Sequence, residues 1–140
     1  MRKVKLVPVL VAIAFTTFLI LSSVLTLCAQ EKRELPKRAV LMKNDLGTVP
    51  GHEGIVSQVE LAPGVPEHKH THPGELLGYV QEGTLTLHVE GKPTATLNAG
   101  QAFFVPADTV HWGENEGKTP NKVISTFVVP KGKPLTSPAK

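Results

Sequence analysis

The sequence predicts an all-β domain, a sandwich or barrel built from short strands. Short apolar runs follow one another at intervals of about 8–12 residues. The 12 glycines and 12 prolines among the 140 residues bound many of these runs and favour turns between them. Beyond residue 29, no segment repeats its apolar residues at the 3.6-residue period of a helix.

The individual strands are predicted from apolar runs that end at turn residues. The clearest is 84–90, where Leu85, Leu87 and Val89 alternate with polar residues and so share one face of a half-buried strand. Because such a domain leaves strand edges exposed, we also expect a homodimer. The predicted strands are 39–42, 55–61, 76–80, 84–90, 94–97, 102–105 and 123–129.

A positively charged and then apolar segment begins the chain. Arg2, Lys3 and Lys5 precede an uncharged run over 6–29, which is typical of an export signal. We therefore predict that residues 1–29 are a signal peptide and that the rest of the protein is periplasmic or secreted. One alternative is a retained membrane anchor with the rest of the chain outside, because the run is also long enough to span a bilayer. The other alternative is a lipidated Cys28.

The rest of the chain is divided into a linker, a domain and a tail. We assign residues 30–37 to a linker, 38–130 to a single β-barrel domain and 131–140 to a polar tail. Without the first 29 residues, 12 basic and 12 acidic side chains remain, so charge gives no support to a nucleic-acid partner. The single cysteine excludes a disulfide scaffold and a zinc site made of cysteines alone.

Three of the six histidines lie within five residues of one another. They are His68, His70 and His72, in a segment bounded by glycine and proline. Residues two apart on a strand point to the same face, with Cα atoms roughly 6.5–7 Å apart. Two imidazoles at that spacing can bind one metal ion through bonds of about 2.0–2.1 Å. This cluster therefore indicates a metal site.

A second segment, residues 100–115, is predicted to form a strand, a tight turn and another strand that carries one further histidine. Together, the two segments resemble a known family. They are similar to the two sequence motifs of the cupin superfamily, in the form found in small single-domain bacterial cupins. Asp108 replaces a glycine of the second motif, an exchange that turn geometry tolerates. Asn115 is expected to bond the backbone of a turn. The matching positions are Gly64, His70, His72, Gly83, Gly100, Pro106, His111 and Asn115.

This resemblance implies a fold and a set of ligands. The fold is a double-stranded β-helix, a barrel of the jelly-roll type, that holds a metal ion inside. The implied histidine ligands are His70, His72 and His111. The implied metal is a divalent transition ion, and the sequence leaves Mn, Fe, Ni, Cu and Zn open.

The glutamate that cupins place in the first motif is missing from its usual position. Leu76 stands there, and Glu75 lies one residue earlier, where a strand would point it to the opposite face. Glu75 would be a fourth ligand only if a bulge re-aimed it. A rival alignment pairs His68 with His70 and restores the spacing to Glu75, but it breaks the distances to Gly64 and Gly83.

The resemblance leaves three functions open. The first is a metal-dependent enzyme of the dioxygenase, isomerase or lyase type that acts on a small molecule. Neutral ligands leave a divalent ion its full charge, which favours an anionic substrate. The second is a non-catalytic extracytoplasmic protein that binds a metal or a small ligand. The third, which the leucine at position 76 motivates, is a structural cupin without metal.

Overall fold

Residues 35–140 are described by the structure, a computed structural model. They form ten β-strands, numbered here in chain order, in two antiparallel five-stranded sheets. The predicted all-β class is therefore confirmed. The predicted signal segment 1–29 and most of the linker lie outside the described residues. The described part of the chain contains no apolar helix of membrane-spanning length.

The first sheet contains the longest strands. It is formed by β1 (Lys37–Asp45), β2 (His52–Leu61), β4 (Glu75–Glu82), β7 (Ala102–Val105) and β9 (Asn121–Pro130). The strand order is β1-β2-β9-β4-β7, so strands distant in sequence lie side by side. Every residue of the edge strand β1 is exposed.

The second sheet contains the shorter strands and two of the clustered histidines. It is formed by β3 (His70–Thr71), β5 (Thr84–Val89), β6 (Ala95–Asn98), β8 (His111–Glu114) and β10 (Ser137–Pro138). The order is β10-β3-β8-β5-β6, which places the strand of His70 beside the strand of His111.

The core lies between the inner faces of the two sheets. Along β9, buried and half-buried residues alternate strictly, as expected of a strand with one face inside. The face predicted for residues 84–90 is also correct, because its three apolar residues are buried in this core. The core side chains are Ile55, Leu61, Leu76, Val80, Leu85, Leu87, Val89, Val105, Val123, Phe127 and Val129.

Short lengths of strand also lie in the segments assigned to the linker and to the tail. The strand β1 already begins at Lys37, inside the predicted linker. In the predicted polar tail, β10 pairs with β3, and the amide of Ala139 donates to the carbonyl of Lys69 at 3.0 Å. Backbone hydrogen bonds hold this two-residue strand, so no run of apolar residues announces it in the sequence.

A tight turn joins β7 to β8 and fixes the position of the last histidine. Asp108 adopts a left-handed conformation there, with φ of 55°, which explains why this turn position favours glycine or a short polar residue. Its amide donates to the carbonyl of His72 at 2.8 Å. The turn before His111 is thereby tied to the end of β3.

Candidate metal centre

The three histidines implied by the sequence motifs come together on the inner side of the second sheet. His70 on β3 pairs in register with His111 on β8, and His72 follows two residues after His70 on the same side of the chain. The three ring centroids lie 4.4–4.9 Å apart. All three residues are buried, with 2–5% of their surface exposed. Strand register and the alternation of side chains thus bring the three histidines together.

Each ring is held by one hydrogen bond from its Nδ1 atom to a backbone carbonyl. His70 donates to the carbonyl of His68 at 2.7 Å, and His111 donates to Thr109 at 2.9 Å. His72 donates to Leu135 at 2.6 Å, so a residue of the C-terminal segment orients this ring. Because a carbonyl only accepts, Nδ1 carries the proton in all three rings, and in a neutral ring Nε2 is then an unprotonated acceptor.

The arrangement of these nitrogens fits a metal ion. One ligand nitrogen from each ring lies within 4.8 Å of the other two. The Nε2 atom of His111 is buried and has no hydrogen-bond partner, although buried polar atoms are nearly always paired. Metal-binding histidines commonly donate their other nitrogen to a carbonyl or carboxylate, as these three do. The cluster can therefore hold an ion through His70, His72 and His111.

Burial keeps these rings neutral. Loss of solvent lowers the pKa of His70, of His111 and most clearly of His72, whose pKa falls to about 4. The hydrogen bonds to backbone carbonyls act in the opposite direction but do not compensate for burial. Since only an unprotonated nitrogen binds a metal, the rings are in the competent form at neutral pH.

The structure does not bring Glu75 or His68 to the cluster. Glu75 is exposed on the outer side of β4, while Leu76 is buried on the inner side, as alternation along a strand requires. The side chain of His68 is also exposed, and only its carbonyl reaches the site. The cluster is thus made of three histidines, without the carboxylate that the family places in its first motif.

Two charged residues that sequence reasoning missed lie beside the cluster. The side chain of Glu67 is only 13% exposed; it accepts hydrogen bonds from the Arg38 guanidinium and, at 3.1 Å, from the amide of Gly113. Burial raises the pKa of Glu67, while Arg38 acts to lower it. The pair joins residues 29 positions apart, so no local pattern in the sequence could reveal it.

The histidines open into a cavity between the two sheets. Its volume is about 180 Å³, room for one compact molecule. Apolar side chains form most of its wall, and Phe127 packs against His72 with ring centroids 4.6 Å apart. The polar groups are few: the three histidines, the Arg38–Glu67 pair, Thr136 and two serines on the first sheet.

The comparisons with known proteins identify the family. The cupin domain profile matches residues 57–127, and the chain belongs to the cupin family. The protein is 34% identical over 88 residues to the tetracenomycin polyketide synthase protein TcmJ of Streptomyces glaucescens. That match covers 62% of this chain but only 56% of the relative, and two other curated relatives are matched over 35% of their length.

Solved structures share the fold at low sequence identity. A double-stranded β-helix domain protein from Klebsiella pneumoniae has a TM-score of 0.63 and 21% identity, over 79% of this chain and 90% of that one. The DMSP lyase DddQ from Ruegeria pomeroyi has a TM-score of 0.63 and 16% identity, over 79% and 55%. These likenesses confirm the double-stranded β-helix that the sequence motifs imply.

The lowered pKa values predict that acid destabilises the metal-free protein. As pH falls from 6.5 towards 4, the unfolded chain takes up protons on these histidines and the folded chain does not, so the free energy of unfolding decreases. Between pH 7 and pH 5, His72 alone contributes about 2 kcal/mol to this decrease. Urea unfolding at pH 7, 6 and 5 measures it.

Two variants locate the origin of that effect. His72→Gln reduces the slope of stability against pH, whereas His68→Gln, a change of an exposed side chain, leaves it as it is. A metal-free protein that becomes more stable on acidification over this range would contradict the account.

The contact between His72 and the C-terminal segment predicts a second effect. Deleting residues 134–140 removes the carbonyl of Leu135 that orients the ring. We expect zinc affinity to fall about 10–100-fold, the usual effect of losing a partner that orients a ligand. Competition with a chromophoric chelator measures this affinity. Deleting Lys140 alone is the control, because it keeps both Leu135 and the pairing of Ala139; equal losses in the two deletions would contradict the assignment.

Proposed function

We propose that this cupin binds one divalent transition metal ion through His70, His72 and His111 and acts on a small anionic molecule in the adjoining cavity. The observation that carries the proposal is the convergence of three neutral, hydrogen-bonded imidazoles on one point of a mostly apolar cavity. The ion could be Mn, Fe, Ni, Cu or Zn, since the ligand set suits all of them.

The three ligands and the cavity favour chemistry at an open coordination site. A metal ion bound there supplies Lewis-acid catalysis or a bound water of lowered pKa. The protein provides only neutral ligands, so a bound ion keeps its positive charge and attracts anions. The mostly apolar wall lowers the local dielectric constant and strengthens that attraction. Dioxygenase, isomerase or lyase reactions are therefore the classes to test.

Replacing His111 by alanine tests the metal site. We expect about one metal ion per chain in the wild-type protein and less than about a tenth of that in His111→Ala. The two remaining ligands bind the ion too weakly to retain it during purification. Mass spectrometry of the metal content, after purification without chelators or histidine tags, measures both. The control is His68→Ala, whose exposed side chain lies outside the cluster. Equal metal in wild type and His111→Ala would refute the site.

A metal-loaded protein then separates catalysis from simple capture. Product formed from a small organic acid supports the enzyme. Thermal stabilisation by such acids, with no product formed, supports the alternative of a non-catalytic binding protein.

We further propose that the protein is exported. The charged residues and the uncharged run at the start of the chain support a cleaved signal over residues 1–29, with membrane association only if that segment is retained. Mass spectrometry of the mature N-terminus, together with fractionation of the cell, tests this proposal.

A homodimer through the outer face of the first sheet is also proposed. Strand register aligns Met42, Val56, Thr126, Leu77 and Phe104 in one row across all five strands. Leu77 and Phe104 are each about half exposed, with 51% and 50% of their surface open to solvent. An exposed row of this kind, apolar except for Thr126, is typical of an interface between copies of one chain.

Charge placed in this row should separate the subunits. We expect Leu77→Glu and Phe104→Glu to sediment as monomers at concentrations where the wild type sediments as a dimer, because burying a carboxylate in an apolar interface is costly. Thr96→Glu, at an exposed position on the other sheet, should remain dimeric. A wild-type protein that is monomeric at high concentration would exclude the dimer.

A further inference from the structure

The inner face of the first sheet places two hydroxyl groups in the wall of the cavity. Ser57 on β2 pairs in register with Ser125 on β9, and both side chains point inward. They are 7% and 6% exposed, yet neither hydroxyl makes a hydrogen bond within residues 35–140. Both serines line the cavity, so their hydroxyls are available to a ligand.

On the same sheet, Arg38 lies further from the histidines than the two serines do. It pairs with Val59, which is two residues beyond Ser57 on β2. Arg38 lines the cavity, and its guanidinium contacts Glu67 on the opposite side. An arginine has five N–H donors in a planar fork, and the Glu67 contact uses one Nη.

Strand register arranges these groups in a line. Phe127, which packs on His72, is two residues from Ser125, and Ser125 is two residues from Val123, the partner of Val59. Each step of two residues along a strand is roughly 6.6 Å. The cavity therefore has polar groups at two ends, the histidines and Arg38, with hydroxyls between them and apolar walls around.

We infer that the ligand is a short-chain organic acid with a polar group at each end, one end lying against the three histidines and a carboxylate at the other end bound by Arg38. Ser57 and Ser125 donate hydrogen bonds to the part between. The first contact rests on the proposed metal site, whereas the contact with Arg38 does not. Glu67 holds the guanidinium in place, so it is a positioning residue for this recognition.

Matched pairs of small acids test this inference. Succinate, glutarate and adipate are compared by calorimetry with butyrate, pentanoate and hexanoate, which have the same chain lengths but only one carboxylate. In the zinc-loaded protein, we expect one dicarboxylate to bind at least about tenfold more tightly than its partner, the effect of one hydrogen-bonded charge. Arg38→Met should remove that advantage and leave the zinc content unchanged.

The control variants separate recognition from folding. Lys43→Met is a matched change on the same strand, because Lys43 also pairs with a largely buried carboxylate, that of Glu53, at 2.9 Å but lies outside the cavity. It should keep the advantage. The double variant Arg38→Met with Glu67→Gln removes both charges, so Glu67 is not left unpaired, and it should lose the advantage as Arg38→Met does.

The outcomes distinguish this inference from the proposed function. If zinc binds but no dicarboxylate is preferred, or if Arg38→Met keeps the preference, the inference is overturned and the metal site stands. If the protein binds no metal, the proposed function fails. The same series of acids on the metal-free protein then tests the contact with Arg38. Dicarboxylate binding must still be weaker in Arg38→Met than in the wild type.

Discussion

The candidate site depends on three hydrogen bonds from imidazole nitrogens to backbone carbonyls. These bonds decide which nitrogen of each ring carries the proton, and so which nitrogen faces the cavity. Two of them stay within the second sheet and its flanking residues, but the third reaches Leu135 near the C-terminus, 63 residues from His72. Without this backbone frame, buried rings could rotate or change tautomer, and their convergence on one point would be lost.

Arg38 and Glu67 form the second polar end of the cavity. Arg38 on the first sheet and Glu67 beside the second form an ion pair that bridges the two layers at the cavity. A buried carboxylate is costly on its own, and the guanidinium and the amide of Gly113 offset that cost. One contact thus ties β1 to the opposite sheet and keeps a cation near the histidines. The pair therefore links the stability of the barrel to the ligand contact that we infer for Arg38.

Much of the fold and the three histidines could be predicted from the sequence, because both follow from local patterns. The alternation of apolar and polar residues predicted which face of 84–90 lies inside. The spacing of His70 and His72, together with His111 in the second motif, predicted the cluster. Asn115 also bonds the backbone of its turn as expected, accepting from the amide of Gly117 at 2.9 Å. On the strand of Leu76, the leucine is buried and Glu75 is exposed, as alternation along a strand requires.

The features that sequence reasoning missed all depend on contacts between distant residues. The tail strand β10, the orientation of His72 by Leu135 and the Arg38–Glu67 pair have no local periodicity that would reveal them. Ser57 and Ser125 become a pair only through the register of β2 and β9, strands that more than 50 residues separate. Such contacts depend on how the chain closes into a barrel rather than on any one segment.

The protonation state of the three rings is the most direct test of the account. Two-bond nitrogen–proton correlation NMR of the ¹⁵N-labelled, metal-free protein distinguishes the two neutral tautomers of each histidine. The account predicts that His70, His72 and His111 are neutral at pH 7 with the proton on Nδ1, and that added Zn²⁺ shifts the Nε2 resonances of these three and not that of His68. Protons on Nε2 in these rings, or Nε2 resonances that zinc leaves unchanged, would contradict the central claim that they form one metal site.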